Sequence, residues 1–298
     1  MANTDVGVAA GGLGKTIAAA IVQFNKAAVT PATISMAAAV KGSNTVQFPV
    51  YAKLAATAVT NEATGDEDTE VAATSITTAA TSVEVLRNHI NARVTDLAAY
   101  GNSDALMVNA GQVLGNAVAT EFDANICARF DAFATSKGTS TEGLRWIDIM
   151  DAVASLETND APRPYSAVLH PQQMYGSFGL SNELGQVAAV NGSNGAFGAG
   201  SSASEDFLQA GFVTSLAGVN FYTSPQVIDG SDSTEKKGAI YAKTALGCGY
   251  IDFGGGSFIE MRTERNELGA STNLVANGYW ASAELVDLHG VEIFTEIS

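Results

Sequence analysis

The chain has 298 residues, 46% of them hydrophobic, with 31 acidic against 15 basic side chains and a formal net charge of −16. That length accommodates one large domain or two lobes with real cores, and that apolar content excludes a disordered chain. The acidic excess is repelled by phosphate. It excludes a sequence-specific nucleic-acid binder and leaves two readings: charge that keeps a concentrated protein soluble, or a surface that faces enclosed nucleic acid without adhering to it.

Residues 1–42 are rich in Ala and Gly, and Ile17, Ala20, Ile21 and Phe24 give one or two amphipathic turns before Pro31 interrupts. This segment reads as an arm lying against something else. From residue 44 to 59 the pattern alternates, with Val46, Phe48, Val50, Ala52 and Leu54 on one face and Thr45, Gln47, Tyr51 and Lys53 on the other. That is strand periodicity, and Pro49 assigns the strand to an edge or a bulge. Glu62, Gly65, Asp66, Glu67, Asp68 and Glu70 then make an acidic turn, and residues 74–87 are again β-prone. No Lys or Arg occurs between Lys53 and Arg87. A two-stranded ribbon of this length is marginal in water, so it is expected to gain stability from a partner.

A long helix is predicted from Asn102 to Thr135, roughly 50 Å at about 1.5 Å per residue. Its apolar positions are Leu106, Ala110, Val113, Leu114, Ala117, Val118, Phe122, Ile126, Phe130 and Phe133, and Lys137 and Gly138 close the pattern. Gly111 and Gly115 fall on one side, where another backbone can approach closely. An extended hairpin feeding a long helix suits an arm on a strut better than a pocket, and points to assembly. Alternating material follows: helix over 144–156, strand over 166–170, helix over 172–180, a Gly/Ser/Asn loop over 191–204, strands over 219–223 and 237–242, the glycines Gly254, Gly255 and Gly256, and β-rich segments over 258–262, 273–284 and 291–295. The fold class is α+β.

Chemistry-bearing clusters are sparse. Ala10-Gly11-Gly12-Leu13-Gly14-Lys15-Thr16 resembles a phosphate-binding P-loop, but Ala9 and Ala10 stand where the motif variants want Gly or Lys, and only Asp5 to Val8 precede it in place of a buried strand. No G-x-S-x-G occurs, no H-E-x-x-H or Cys/His cluster suggests zinc, and Asp66, Asp68 and Glu70 lack the closing Glu of a calcium loop. His89, His170 and His289 are isolated and read as structural or surface residues. Cys127 and Cys248 belong to no CxxC and read as two reduced, partly buried thiols of an intracellular product, with a disulfide as the alternative. No apolar run reaches the ~18 residues of a membrane span, and Asp5 stands where a signal peptide wants a positive charge. Arg87, His89 and Arg93 form a short basic cluster: either intramolecular ion pairs or a dock for an acidic partner segment.

The order of these elements resembles the major capsid proteins of tailed bacteriophages, with the Hong Kong 97-type fold. The strings Ala92-Arg93-Val94-Thr95-Asp96-Leu97, Val168-Leu169-His170-Pro171-Gln172-Gln173, and Ile259-Glu260-Met261-Arg262 through Gly278-Tyr279 are similar to wording found there. The resemblance spans nearly the whole chain and rests on order more than on any one string. It implies an N-terminal arm (1–42), an extended loop (43–88), a peripheral domain with the spine helix (89–145), an axial domain (146–254) and returning peripheral strands (255–298). It implies a structural, non-enzymatic shell subunit that forms hexamers and pentamers around phage double-stranded DNA, in the host cytoplasm during assembly and in the virion afterwards, with no cofactor and no membrane. A separate scaffolding protein is expected, because Met1 opens a short arm, together with a portal and decoration proteins. Covalent crosslinking is not expected, because the loop tip carries no Lys. The acidic turn is either a solvated tip or a contact with a basic patch on a neighbour; in the second case intersubunit contact is expected at Glu62, Asp66, Glu67, Asp68, Glu70, Arg87 and Arg93. The alternatives are an encapsulin-like cargo shell, a P-loop nucleotide hydrolase, and an adhesin or tail protein.

Overall fold

The computed structural model describes residues 19–20, 23, 28–40, 42–51, 54, 75–76, 78–96, 103–182, 215–253 and 258–297. Within them the strands are β1 (Ser35–Ala38), β2 (Thr45–Tyr51), β3 (Thr78–Glu84), β4 (Leu86–Thr95), β5 (Ser136–Lys137), β6 (Tyr165–Leu169), β7 (Ser215–Leu216), β8 (Val219–Thr223), β9 (Glu235–Ala242), β10 (Leu246–Tyr250), β11 (Ile259–Asn266), β12 (Ser271–Glu284) and β13 (Gly290–Glu296). The helices are α1 (Ser103–Cys127), α2 (Trp146–Thr158) and α3 (Pro171–Tyr175). The acidic turn at 62–70, the P-loop-like segment at 10–16, the loop at 191–204 and the glycines at 254–256 lie outside the described residues.

Strand β12 organises the five-stranded sheet. One edge pairs antiparallel with β4, from Ser271↔Thr95 to Trp280↔Leu86. The other edge pairs with β11 and then β10 end to end: Ile259↔Gly278 ends one run and Tyr250↔Trp280 begins the next. Parallel β1 completes the sheet beside β10. The inner face of β12 carries Leu274, Ala276 and Trp280, all buried, and α1 packs on Ala276 and Trp280. Phe122 of α1 stacks against Trp280 and Phe258, with ring centroids at 5.5 and 5.3 Å. Trp280 folds back over Gly278, where an added Cβ would stand 1.8 Å from the indole.

The second sheet has six strands in the order β5-β13-β9-β6-β8-β7. Helix α2 covers it with Ile149, Ala152, Val153 and Leu156 over Tyr165, Ala167, Ile240 and Ile293. The register divides residues 255–298 between the two sheets: β11 and β12 belong to the first, β13 to the second. Residues 28–40 are part of the body as well. Ile34 is fully buried in the core beneath α1, and β1 is a sheet strand.

Strands β2 and β3 form a separate ribbon, Thr45↔Glu84 through Tyr51↔Thr78. Pro49 is tolerated because both edges of a two-stranded ribbon have room for a missing donor. Val46, Phe48, Val83 and Val85 at the ribbon's base bury against Ala281 of the five-stranded sheet. The expected extended loop ends sooner than residue 88: Leu86, Arg87 and Asn88 already belong to β4.

Two expectations for the long helix are corrected. It ends at Cys127, 25 residues and about 37 Å from its start, instead of continuing to Thr135. Phe130–Ala132 form a tight 3₁₀ turn, and Phe133 is extended at ψ 127. That turn brings Phe130 and Phe133 onto the Tyr241 ring at 5.6 and 6.4 Å, a contact that three-residue spacing serves as well as an α-helix does. Lys137 and Gly138 therefore do not cap the helix; Lys137 is in β5. Val113 is 65% exposed, because the buried stripe runs Leu114, Val118, Phe122 and Ile126 and leaves its neighbour about 100° away.

Candidate assembly surfaces

The basic cluster sits on β4. In a strand successive side chains alternate faces, so Arg87, His89, Asn91 and Arg93 share one face, while Asn88, Ile90, Ala92 and Val94 share the other. The first set is exposed and the second half-buried, with Ile90 packed into the core. Arg87 donates from Nε and Nη2 to the Asn277 side-chain oxygen at 3.1 and 2.8 Å. Arg93 donates from Nε to the Asn273 side-chain oxygen at 3.4 Å. These are the partners of both guanidinium groups among the described residues, and both are neutral amides. The expected cluster is thus brought together on one face; Glu62, Asp66, Glu67, Asp68 and Glu70 lie outside the described residues. Between β4 and α1 runs a groove of about 360 Å³ lined by Arg87, His89, Ile90, Val118, Glu121 and Trp280. Strand β4 pairs with β12 on one edge; its other edge has no strand partner among the described residues.

The far end of this three-stranded region is braced. Asp96, just past β4, bonds the Arg265 guanidinium through both oxygens, one at 2.7 Å. Arg265 holds the Asp96 carboxyl below the usual carboxylate range through that hydrogen bond. At the adjoining turn of the β11–β12 hairpin, Leu268 is fully exposed. Other large apolar side chains are exposed over the whole molecule: Val40 and Leu86 near the ribbon's base, Tyr51 and Ile76 along it, Ile147 on α2, and Leu288 before β13. Scattered exposed apolar groups on several elements suit many modest contacts better than one pocket.

Several of the buried polar groups are internal clamps. Asp123, on α1, accepts from Val29 N at 3.0 Å, Thr30 N at 3.1 Å and Thr30 Oγ1 at 2.6 Å, and so pins the segment entering β1. Gly115 on the same helix admits the Ala20 backbone, whose carbonyl oxygen would stand 2.4 Å from an added Cβ. Gln173 is fully buried and donates from Nε2 to Lys236 O, Ile293 O and Thr295 Oγ1 at 3.0, 3.3 and 2.8 Å, while its oxygen accepts from His170 N at 3.0 Å. His170 Nδ1 accepts from Gln172 N at 3.2 Å and caps α3, and burial lowers its pKa. His289 Nδ1 meets Thr244 Oγ1 at 2.8 Å. Cys127 and Cys248 are free thiols, both buried in the core under α1, and burial pushes Cys248 up to about 12. Neither has the lowered pKa or access of a nucleophile. Among the described residues no three His, Cys, Asp or Glu side chains gather as a metal site, and no helix is long and apolar enough to cross a membrane.

Sequence comparison is silent: no family model matches the chain, and no curated protein matches it. Structural comparison is not. The chain is similar to the capsid of Ralstonia phage GP4, with a TM-score of 0.64 and 12% identity over 89% of this chain and 87% of that one. It is similar to the capsid of Cyanophage P-SCSP1u, with a TM-score of 0.61 and 16% identity over 89% and 87%. It is also similar to the encapsulin of the holo-SrpI complex from Synechococcus elongatus PCC 7942, with a TM-score of 0.56 and 11% identity over 89% and 86%. The chain therefore has the α+β fold of phage capsid subunits, the fold that its order of elements resembles.

Proposed function

We propose that this chain is the major capsid protein of a tailed phage, a structural subunit that assembles into hexamers and pentamers of an icosahedral shell enclosing double-stranded DNA. The observation that carries this reading is the capsid fold shared over most of both chains with phage shells. The distribution of exposed apolar residues supports it: they occur on the ribbon (Tyr51), β4 (Leu86), the three helices (Val113, Ile147, Tyr175) and the turns before β12 and β13 (Leu268, Leu288), as expected of a subunit with neighbours on several sides. Each contact is modest, and copy number multiplies it. The net charge of −16 suits a container whose walls do not trap its DNA. No residue is assigned a catalytic role. In this reading the chain works in the virion after assembly in the host cytoplasm, with a scaffolding protein, a portal and decoration proteins as further partners.

Electron microscopy of the purified protein tests it. Closed particles are expected; a strictly monomeric species under all assembly conditions overturns it. A second reading, a bacterial shell around an enzyme cargo, is favoured by the similarity to an encapsulin. Nuclease-protected DNA inside particles isolated from infected cells supports the first reading, and a bound cargo protein without DNA supports the second. The P-loop reading predicts ATP binding that Lys15→Ala abolishes; absence of ATP binding by the wild-type chain removes it.

A further inference from the structure

Strand β4 is ten residues long, and its edge away from β12 is open among the described residues. Hydrogen bonds near both ends of the β4–β12 pair fix the backbone phase of that edge. Asp96 N donates to Ala270 O, so position 96 turns its amide towards β12. Tyr279, which lies opposite Arg87, donates from N to Phe258 O and accepts at O from Ile251 N, so both of its backbone groups turn away from β4. In an antiparallel pair, residues that bond across the pair alternate with residues that do not. The register from Thr95 to Leu86 is unbroken, so Arg87, His89, Asn91 and Arg93 turn their N–H and C=O groups to the open edge. These outward groups have no backbone partner among the described residues.

The same positions carry uncompensated charge. Arg87 uses two of its five donors on Asn277 and Arg93 one on Asn273, both neutral amides. Arg145, Arg163, Arg262 and Arg265 each meet a carboxylate of their own chain; Arg87 and Arg93 meet none among the described residues. The opposite face of β4 has other needs. There Ile90, Val118 and Trp280 line the groove of about 360 Å³ against α1, and Glu121 stands in the same groove, where it repels a second carboxylate. Residues opposed across paired strands share a face, with Cβ atoms about 4.5–5.5 Å apart. A strand that fits this edge therefore alternates: carboxylates over Arg87 and Arg93, apolar side chains into the groove beside Ile90.

No described edge strand of a second copy has that pattern. Strands β1, β2, β5 and β7 contain no carboxylate, and β3 contains only Glu84. Strand β11 contains Glu260 and Glu264, but the bond from Tyr279 N to Phe258 O puts the even positions in phase with β12. The outward amides of β11 belong to Met261, Thr263 and Arg265, so its open edge brings a third guanidinium to β4 and no carboxylate. Two copies of β4 would oppose like charges on one face. We propose that the open edge of β4 docks an extended segment of a different protein, with carboxylates and apolar residues at alternate positions, added to the five-stranded sheet as a further strand. The proposal rests on the phase and charge of this edge, and holds whether or not the chain builds a shell.

The probe is a fluorescent peptide in which Glu and Val alternate, beginning and ending on Glu, so that its pattern is the same in either direction along β4. It is titrated into the full-length chain kept monomeric. It should bind at least ~10-fold more tightly than a peptide of the same composition with all its Glu residues consecutive. Equal binding of the two peptides, or no binding of the first, overturns the proposal on the wild-type chain, without any variant having to fold. Asn91→Pro removes one outward N–H and leaves the bonds to β12 in place. With unchanged circular dichroism it should weaken the alternating peptide at least ~10-fold; wild-type affinity in that variant would mean charge attraction alone and overturn strand addition. Arg87→Glu with Arg93→Glu should abolish binding, and a peptide alternating Lys and Val should restore it. If assembled particles exclude the peptide that the monomer binds, a neighbouring copy covers the edge: the proposal falls and the shell reading stands. If the chain never assembles, the shell reading falls and the titration still decides the proposal.

Discussion

Asp123 is a residue whose role is plain only in three dimensions. It lies one position from Phe122 in an apolar helix pattern, and nothing local explains a carboxylate there. Its partners are the backbone amides of Val29 and Thr30, more than ninety positions away, and no periodicity reports such a pairing. Asp123→Ala would leave those donors without their acceptor, and a loss of about 2–4 kcal/mol is expected in denaturant unfolding of the isolated chain. Gly278 makes the opposite case, since a single methyl there meets the Trp280 ring. Gly278→Ala is expected to cost about 1–3 kcal/mol, or to displace the indole, which tryptophan fluorescence would register. Glu284 supplies a pH dependence. Burial, and then the neighbouring Asp287 carboxylate, raise its pKa above the ordinary 4.5, so the folded state favours the protonated acid. Its stabilising share is complete below about pH 4.5 and is lost as pH rises through the raised value. Glu284→Gln should therefore raise the thermal midpoint at pH 7 and leave it unchanged near pH 4; an equal effect at both would remove this account.

At the scale of elements, legibility followed how much of the period a segment needs for itself. Strand β8 over 219–223 and helix α2 were evident because one buried face wrote a clear pattern onto each. The close approach at Gly115 was legible too, since glycine on a helix face has few other uses. The end of α1 was not, because apolar residues three and four apart serve an α-helix and a 3₁₀ turn alike, and Tyr241 decides between them. Strand β1 was hidden in a run of alanines with little periodicity, and its place depends on β10, with its two glycines, lying alongside. The basic cluster was found, but as a patch after a hairpin; that it lines one face of a ten-residue strand follows from pairing with β12. Helix α3 holds a further test. Gln173 ties it to β9 and β13 through one amide, so Gln173→Ala should cost about 2–4 kcal/mol and loosen the three together, visible as faster hydrogen exchange at Lys236–Gly238 and Ile293–Thr295.

For the molecule as a whole, the α+β class and the capsid fold were legible from the order of elements, while the division of the strands into two sheets was not. That division depends on partners far apart in sequence. Three segments cross between the sheets: residues 96–135, 243–245 and 285–289. The last two are fastened to each other, since Leu285 N and Val286 N both donate to Ala245 O, at 2.7 and 3.3 Å. The sheets are therefore expected to unfold in one cooperative step, with coincident transitions by circular dichroism and tryptophan fluorescence. Two separated transitions would show that the lobes are independent.

The pairing of distant strands also sets a clock on synthesis. Strand β1 waits for residues 247–250, β4 for residues 271–280, and β5 for Glu292 and Ile293. A ribosome has nearly finished the chain before any of the three can be paired, and the last strand to emerge, β13, is the one seated between β5 and β9. Closure of such long loops is slow, so folding completes after release, not during elongation. A nascent chain thus has no finished surface until it is whole, and copies cut short before residue 290 lack β13 and leave β5 and β9 without the strand between them.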